Sequence, residues 1–199
     1  TFERLRGRGA KLVDGTCPFV KNAQERAQKL SQEGYIVVIL GDSSHPEVQG
    51  IMGYVSGEVH VLSASSGIPS ALFGKRCGIL SQTTQRADKF AELVAKFVSI
   101  TPEIKVYNTI CRATLARQQS VCRLAEEADG IIVLGGKESA NTRKLAEIAS
   151  GSGVPTLWIE HSGELERGWL EKKETIGIAA GGSTPDWLIK ELHQKLTKM

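Results

Sequence analysis

Tyr35-Ile-Val-Val-Ile-Leu40-Gly41-Asp42-Ser-Ser-His45-Pro-Glu47 is the stretch on which the fold class turns. Its β-branched run, bounded by Gly34 and Gly41, has the length and composition of a strand buried on both faces. It gives way directly to a polar turn. Upstream, Asn22 to Gln32 predicts a helix with Ala23, Ala27 and Leu30 on one face and Gly34 as its stop. Downstream, strand signals at 59–62, 78–80, 105–107, 130–134, 156–159 and 176–179 alternate with helical patterns at 88–99, 115–128, 141–150 and 185–196. Residues 4–13 read as a helix end, a Gly turn and a short strand. Strands spaced by helices of this length imply parallel sheets with helices on both faces, an α/β class.

A repeat organises the chain. The first copy runs from Asp14-Gly-Thr-Cys17-Pro through a helix and a strand to Gly41, His45 and Glu47. The second runs from Asn108-Thr-Ile-Cys111 through a helix and a strand to Gly135, Ser139 and Asn141. In both, 24 residues separate the Cys from the Gly. His45 then matches Ser139, and Glu47 matches Asn141. Each copy closes on a strand running into a polar turn, Gln82-Thr83-Thr84 in one and Gly182-Ser183-Thr184 in the other. The expected division is two pseudo-repeated modules, 14–104 and 105–199, each a small, mainly parallel sheet flanked by helices. Residues 1–13 would be the tail of a preceding module.

Composition narrows the chemistry. The 199 residues carry a net charge of +3, 41% hydrophobic and 24% charged residues, too mild a charge to argue for nucleic acid. No apolar run reaches the roughly 18 residues that span a bilayer, and the N-terminus has no secretory h-region. Four cysteines do not form a disulfide framework in such a length. A reducing cytoplasm is the default expectation, with the plastid stroma as the other setting.

Ligands of parallel sheets bind beyond the carboxyl ends of strands. Cys17, the 41–47 loop, Thr83, Cys111, the 135–141 loop and Ser183 all fall there. Soft thiolates at Cys17 and Cys111 suit an iron–sulfur cluster or zinc, whereas Cys77 and Cys122 read as core. His45 and Glu47 are the acid–base pair to expect, the imidazole for phosphate and the carboxylate for a proton. Gly135-Gly136, Gly181-Gly182, Ser139, Asn141 and Ser183 sit where helix N-termini favour phosphate. Arg112, Arg117, Lys137 and Arg143 read as solvated surface.

Several blocks then resemble one family. Asp14-Gly-Thr-Cys-Pro, His45-Pro-Glu-Val-Gln-Gly-Ile-Met-Gly, Gln82-Thr-Thr-Gln, Asn108-Thr-Ile-Cys-Arg-Ala-Thr, Gly135-Gly-Lys-Glu-Ser-Ala-Asn-Thr-Arg and Gly182-Ser-Thr-Pro-Asp-Trp are similar to the signatures of the 4-hydroxy-3-methylbut-2-enyl diphosphate (HMBPP) reductases, enzymes of the non-mevalonate isoprenoid pathway. The resemblance implies three modules around a [4Fe-4S] cluster with three Cys ligands, of which two, Cys17 and Cys111, are present here. It implies reductive loss of an allylic hydroxyl, giving isopentenyl and dimethylallyl diphosphates, with ferredoxin or flavodoxin as electron donor. Glu47, helped by Thr83 or its neighbour Thr84, would relay the proton. His45, Ser139, Asn141 and Ser183 would hold the diphosphate. Ala140 stands where the family often has a second Ser. The family's first module, with its Cys and two further histidines, is expected to be missing, leaving this chain little activity by itself. The alternatives are a non-catalytic diphosphate-binding module and a zinc site built on Cys17, Cys111 and His45. No nucleic-acid or membrane partner is expected.

Overall fold

The computed structural model describes Gly7, Lys11 and residues 13–199; most of the strand expected before Asp14 therefore lies outside the described residues. Helix α1 (Pro18–Gln32) leads to β1 (Ile36–Leu40), α2 (Pro46–Met52), β2 (Val59–Leu62), a 3₁₀ turn at Ser70–Leu72, β3 (Arg76–Ser81), α3 (Ala87–Val98) and β4 (Glu103–Val106). The second half repeats the plan with α4 (Arg112–Glu127), β5 (Gly130–Leu134), α5 (Ala140–Gly151), β6 (Thr156–Ile159), a 3₁₀ turn at Ser162–Glu164, the short α6 (Arg167–Leu170), β7 (Ile176–Ala180) and α7 (Asp186–Thr197).

Two parallel sheets result, ordered β2-β1-β3-β4 and β6-β5-β7. β4 straddles the expected module seam at 104/105 yet pairs with β3, Ile79 opposite Val106, so it is a strand of the first sheet. The outer edge of β7 has no such strand partner among the described residues. Arg76 on β3 holds Glu103 on β4 through Nε–H···Oε2 at 2.7 Å and Nη2–H···Oε1 at 3.1 Å.

The strand pleat divides each core in two. Val37 and Ile39 of β1 face Ala23, Ala27 and Leu30 of α1, while Val38 and Leu40 face Phe90, Leu93 and Phe97 of α3. In the second module, Ile131 and Val133 meet Val121 of α4 and Leu145 and Ala149 of α5. Ile132 and Leu134 meet Leu192 of α7. Each fully buried Leu, Ile or Phe contributes about 1.5–3 kcal/mol. Gly78 lets α1 lie close to its sheet: a Cβ there would stand 2.6 Å from Leu30 Cδ2.

Two readings need correction. Cys122 is exposed, because α4 turns Thr114, Gln118 and Val121 inward and the next residue points about 100° away. Cys77 is buried as expected. The loop after β1 also becomes helical from Pro46, a residue suited to a first helical turn.

Candidate active site

Cys17 and Cys111 occupy the same place in the two copies. Each is the N-cap of its helix, α1 or α4, and neither side chain caps that helix, so both thiols are left unengaged. Cys17 is exposed and Cys111 half-buried. Asp14, just ahead of Cys17, is held below the usual carboxylate range by Lys21, whose Nζ lies 2.6 Å from it. Asp42, opening the β1 loop, is likewise lowered, chiefly by the Ser44 hydroxyl.

His45 caps α2: its Nδ1 accepts the Glu47 N–H at 3.1 Å. That bond places the neutral ring's proton on Nε2, which is left as a donor. Glu47, in the first turn of α2, reaches across to the end of β3. One carboxylate oxygen accepts the Thr83 N–H at 2.6 Å and the other the Thr83 hydroxyl at 2.9 Å. Thr83 in turn accepts the Cys111 N–H on its carbonyl at 2.9 Å. Glu47, Thr83 and Cys111 thus form one continuous hydrogen-bonded chain between the modules. A second link is Gln118 Nε2–H donating to the Gln85 carbonyl at 3.0 Å.

Gln82, only 1% exposed, was not singled out in the sequence. Its Oε1 accepts the Asp42 N–H at 3.1 Å, tying the β1 loop to the β3 turn. Its partner lies 40 residues away, which no local pattern signals.

The second module arranges the equivalent positions differently. Ser139 caps α5, accepting the Thr142 N–H at 3.3 Å. Both polar atoms of the Asn141 amide are buried without a partner, as are the hydroxyls of Thr84 and Thr142. Gly135, at φ +144°, would bring a Cβ to 2.6 Å from the Thr184 hydroxyl, and Gly181 would bring one to 2.2 Å from that of Thr142. Ser183 is exposed beside Gly182, against which the Arg117 guanidinium lies.

Strand register sets the equivalence of the two turns. Leu40 pairs with Ser81 and Leu134 with Ala180. Thr84 therefore matches Ser183, and Thr83 matches Gly182, one residue off the alignment of hydroxyls suggested by the sequence.

Between the modules lies a cleft of about 580 Å³, lined by Asp42, His45, Gln82 and Thr84 on one side and by Ala140 and Arg143 among those on the other. Arg143 thus faces the cleft as well as solvent. Of the expected site residues, only His45 and Thr84 line it; Cys17, Glu47, Thr83, Cys111, Ser139, Asn141 and Ser183 do not. A larger hollow of about 640 Å³, beside β7 and α7, contains none of the expected site residues. Among the described residues, no three His, Cys, Asp or Glu side chains are gathered to hold a metal ion. The zinc arrangement of Cys17, Cys111 and His45 finds no support there, and the two thiols form an incomplete donor set.

A family model described as "LytB protein" matches residues 1–197. Among curated relatives, the chain is 39% identical to the 4-hydroxy-3-methylbut-2-enyl diphosphate reductase of Campylobacter hominis, over 98% of this chain and 71% of that protein. It is 44% identical to the enzyme of the same name from Geobacter sulfurreducens, over 95% of this chain and 67% of that protein. Among solved structures, (E)-4-hydroxy-3-methyl-but-2-enyl diphosphate reductase, the terminal enzyme of the non-mevalonate pathway, aligns at TM-score 0.64 and 40% identity, covering 100% of this chain and 72% of that one. The E-1-hydroxy-2-methyl-but-2-enyl-4-diphosphate reductase of Plasmodium falciparum aligns at TM-score 0.83 and 26% identity, covering 93% and 59%.

Proposed function

The chain belongs to the LytB protein family, and from that premise we propose that it carries the proton-delivering and part of the diphosphate-binding machinery of an HMBPP reductase. The observation that carries this reading is the Glu47–Thr83–Cys111 chain. In it Thr83 holds the acid on one side and accepts the backbone N–H of Cys111 on the other, setting the carboxyl near the helix end that presents the thiol. The reaction replaces the allylic C–OH of HMBPP by C–H, taking up two electrons and two protons and releasing water.

The LytB family binds an iron–sulfur cluster. Cys17 and Cys111 would hold two of its corners, since both thiols stand unengaged at helix N-caps, where the positive helix end favours thiolate. The cluster, when bound, supplies the electrons, drawn from a ferredoxin or flavodoxin. Glu47 supplies a proton to the departing hydroxyl, so that water leaves rather than hydroxide. Thr83 holds the carboxyl through its N–H and hydroxyl, fixing both oxygens in orientation. A positioned acid of this kind contributes roughly 10²–10⁴-fold.

The diphosphate is assigned to His45 Nε2, Ser139, Asn141 and Ser183. The buried, partnerless amide of Asn141 fits an absent ligand, because a buried amide without hydrogen bonds is costly. Ser139 and Asn141 stand at the N-terminus of α5, where backbone N–H groups and the helix dipole favour an anion. With the seam moved from 104/105 to the end of β4, since Lys105 and Val106 pair with the first sheet, the division into two modules belongs to the same reading. So does a cytoplasmic location; no helix among the described residues is long and apolar enough to cross a membrane.

The test is anaerobic reconstitution with iron and sulfide, followed by turnover of HMBPP with reduced methyl viologen. Release of isopentenyl and dimethylallyl diphosphates by the protein carrying this chain is expected. A protein that binds HMBPP and holds its cluster yet releases neither product would overturn the reading.

A further inference from the structure

The hydroxyl of Thr84 is buried, lacks any hydrogen-bond partner and belongs to a residue lining the cleft between the modules. Its neighbour Thr83 has no hydroxyl to spare, because Glu47 takes it. The two threonines therefore have different tasks. Strand register makes Thr84 the structural counterpart of Ser183. The turns that present them close in the same way, Gln85 N–H on the Gln82 carbonyl at 3.1 Å and Thr184 N–H on the Gly181 carbonyl at 3.0 Å.

Across the cleft stands Ala140, between Ser139 and Asn141, which brings a methyl and no hydrogen-bond donor of its side chain to that wall. Arg143 and Lys144 line the same wall, and His45 lines the opposite one. The cleft thus offers two cationic side chains and an imidazole beside the carboxylates of Asp42 and Glu138. Of its two hydroxyl residues, Ser44 is bound to Asp42 while Thr84 is unused.

We propose that Thr84 donates its hydroxyl to a phosphate oxygen of the bound diphosphate, supplying from the first module the hydrogen bond that Ala140 withholds from the second. Resting as it does on the diphosphate reading of the site, the inference moves Thr84 from the proton path to anion binding. The hydroxyl reaches the ligand by a χ1 rotation of about 120°, one staggered well to the next. Such a rotation breaks no hydrogen bond, since the hydroxyl has none.

Inorganic pyrophosphate is the probe, titrated calorimetrically into the protein, since it needs no cluster chemistry to bind. Thr84→Val is expected to weaken binding about 10-fold, the scale of one hydrogen bond to a charged group. Thr84→Ser should bind as the wild type does, and Ala140→Ser introduced into Thr84→Val should restore most of the loss. A residue that only packs would not be rescued from across the cleft. Unchanged binding in Thr84→Val, alongside a loss in Asn141→Ala, overturns the role of Thr84 while leaving the diphosphate site intact. No pyrophosphate binding by the wild type overturns both.

Discussion

The two modules share a scaffold and differ in what stands at its ligand edge. In the first, Glu47 finds Thr83 opposite it, and both carboxylate oxygens are bound. In the second, the equivalent pair is Asn141 and Gly182, and glycine has no side chain to offer, so the amide is left without a partner. A titratable acid held in place suits a proton; a neutral amide left open suits an anion. The neighbouring position keeps its structural task in both copies, with His45 capping α2 in one and Ser139 capping α5 in the other. On the proposed reading, exchanging residues at equivalent positions of one duplicated frame gives Glu47 a proton and Asn141 a phosphate to serve, while His45 of the first module and Ser139 of the second both serve the phosphate.

The largest expected effect breaks the comparison where the copies are most alike. Cys111→Ser should lose most of the iron held after anaerobic reconstitution, whereas Cys122→Ser, ten or so residues along the same helix, should keep it. Equal iron in both variants would remove Cys111 from the cluster. Turnover should follow the iron.

A smaller effect sharpens the comparison of the scaffolds. Gly78 and Gly177 match in register, but a Cβ at Gly78 meets Leu30 at 2.6–2.9 Å while one at Gly177 meets only ordinary contacts of 3.4–3.5 Å. Leu30 is fully buried and has no room to withdraw. Gly78→Ala should therefore cost about 1–3 kcal/mol, and Gly177→Ala should be close to neutral. Chemical denaturation of the two variants decides it; equal losses would mean that α1 and α4 pack alike.

The smallest effect concerns β4, which has no counterpart in the second sheet among the described residues. Arg76, and after it Tyr35, lowers Glu103 to about 2 from an ordinary 4.5. A carboxylate lowered on folding stabilises above its unfolded value, and that contribution fades as pH falls from about 4.5 through 2. Glu103 is exposed, so the effect is slight. Protection of the β4 amides, exchange measured relative to the intrinsic rate at each pH, should fall over that window in the wild type and stay flat in Glu103→Gln.

Much of this was legible in the sequence. The apolar run 35–40 and the alternation of helices and strands carry the α/β class, and the equal Cys-to-Gly spacing carries the duplication. What stayed hidden depends on pairing at a distance. β4 joins the first sheet because Tyr107 and the strand before it bond to β3, which local propensity does not encode. The one-residue offset between the Thr83-Thr84 and Ser183-Thr184 turns is set by strand register, not by residue likeness. Gln82 serves a loop 40 residues away. Cys122 reads as core beside Val121 because the sequence does not fix the phase of α4, which is set by the face that packs.

The division of labour is tested most directly by steady-state kinetics of Glu47→Gln beside Asn141→Ala in the reconstituted protein. The account predicts that Glu47→Gln lowers kcat by about 10²-fold or more with KM little changed. Asn141→Ala should instead raise KM about 10-fold with kcat largely kept. If both variants lose kcat with KM unmoved, or both raise KM alone, the proton and phosphate tasks are not divided between Glu47 and Asn141.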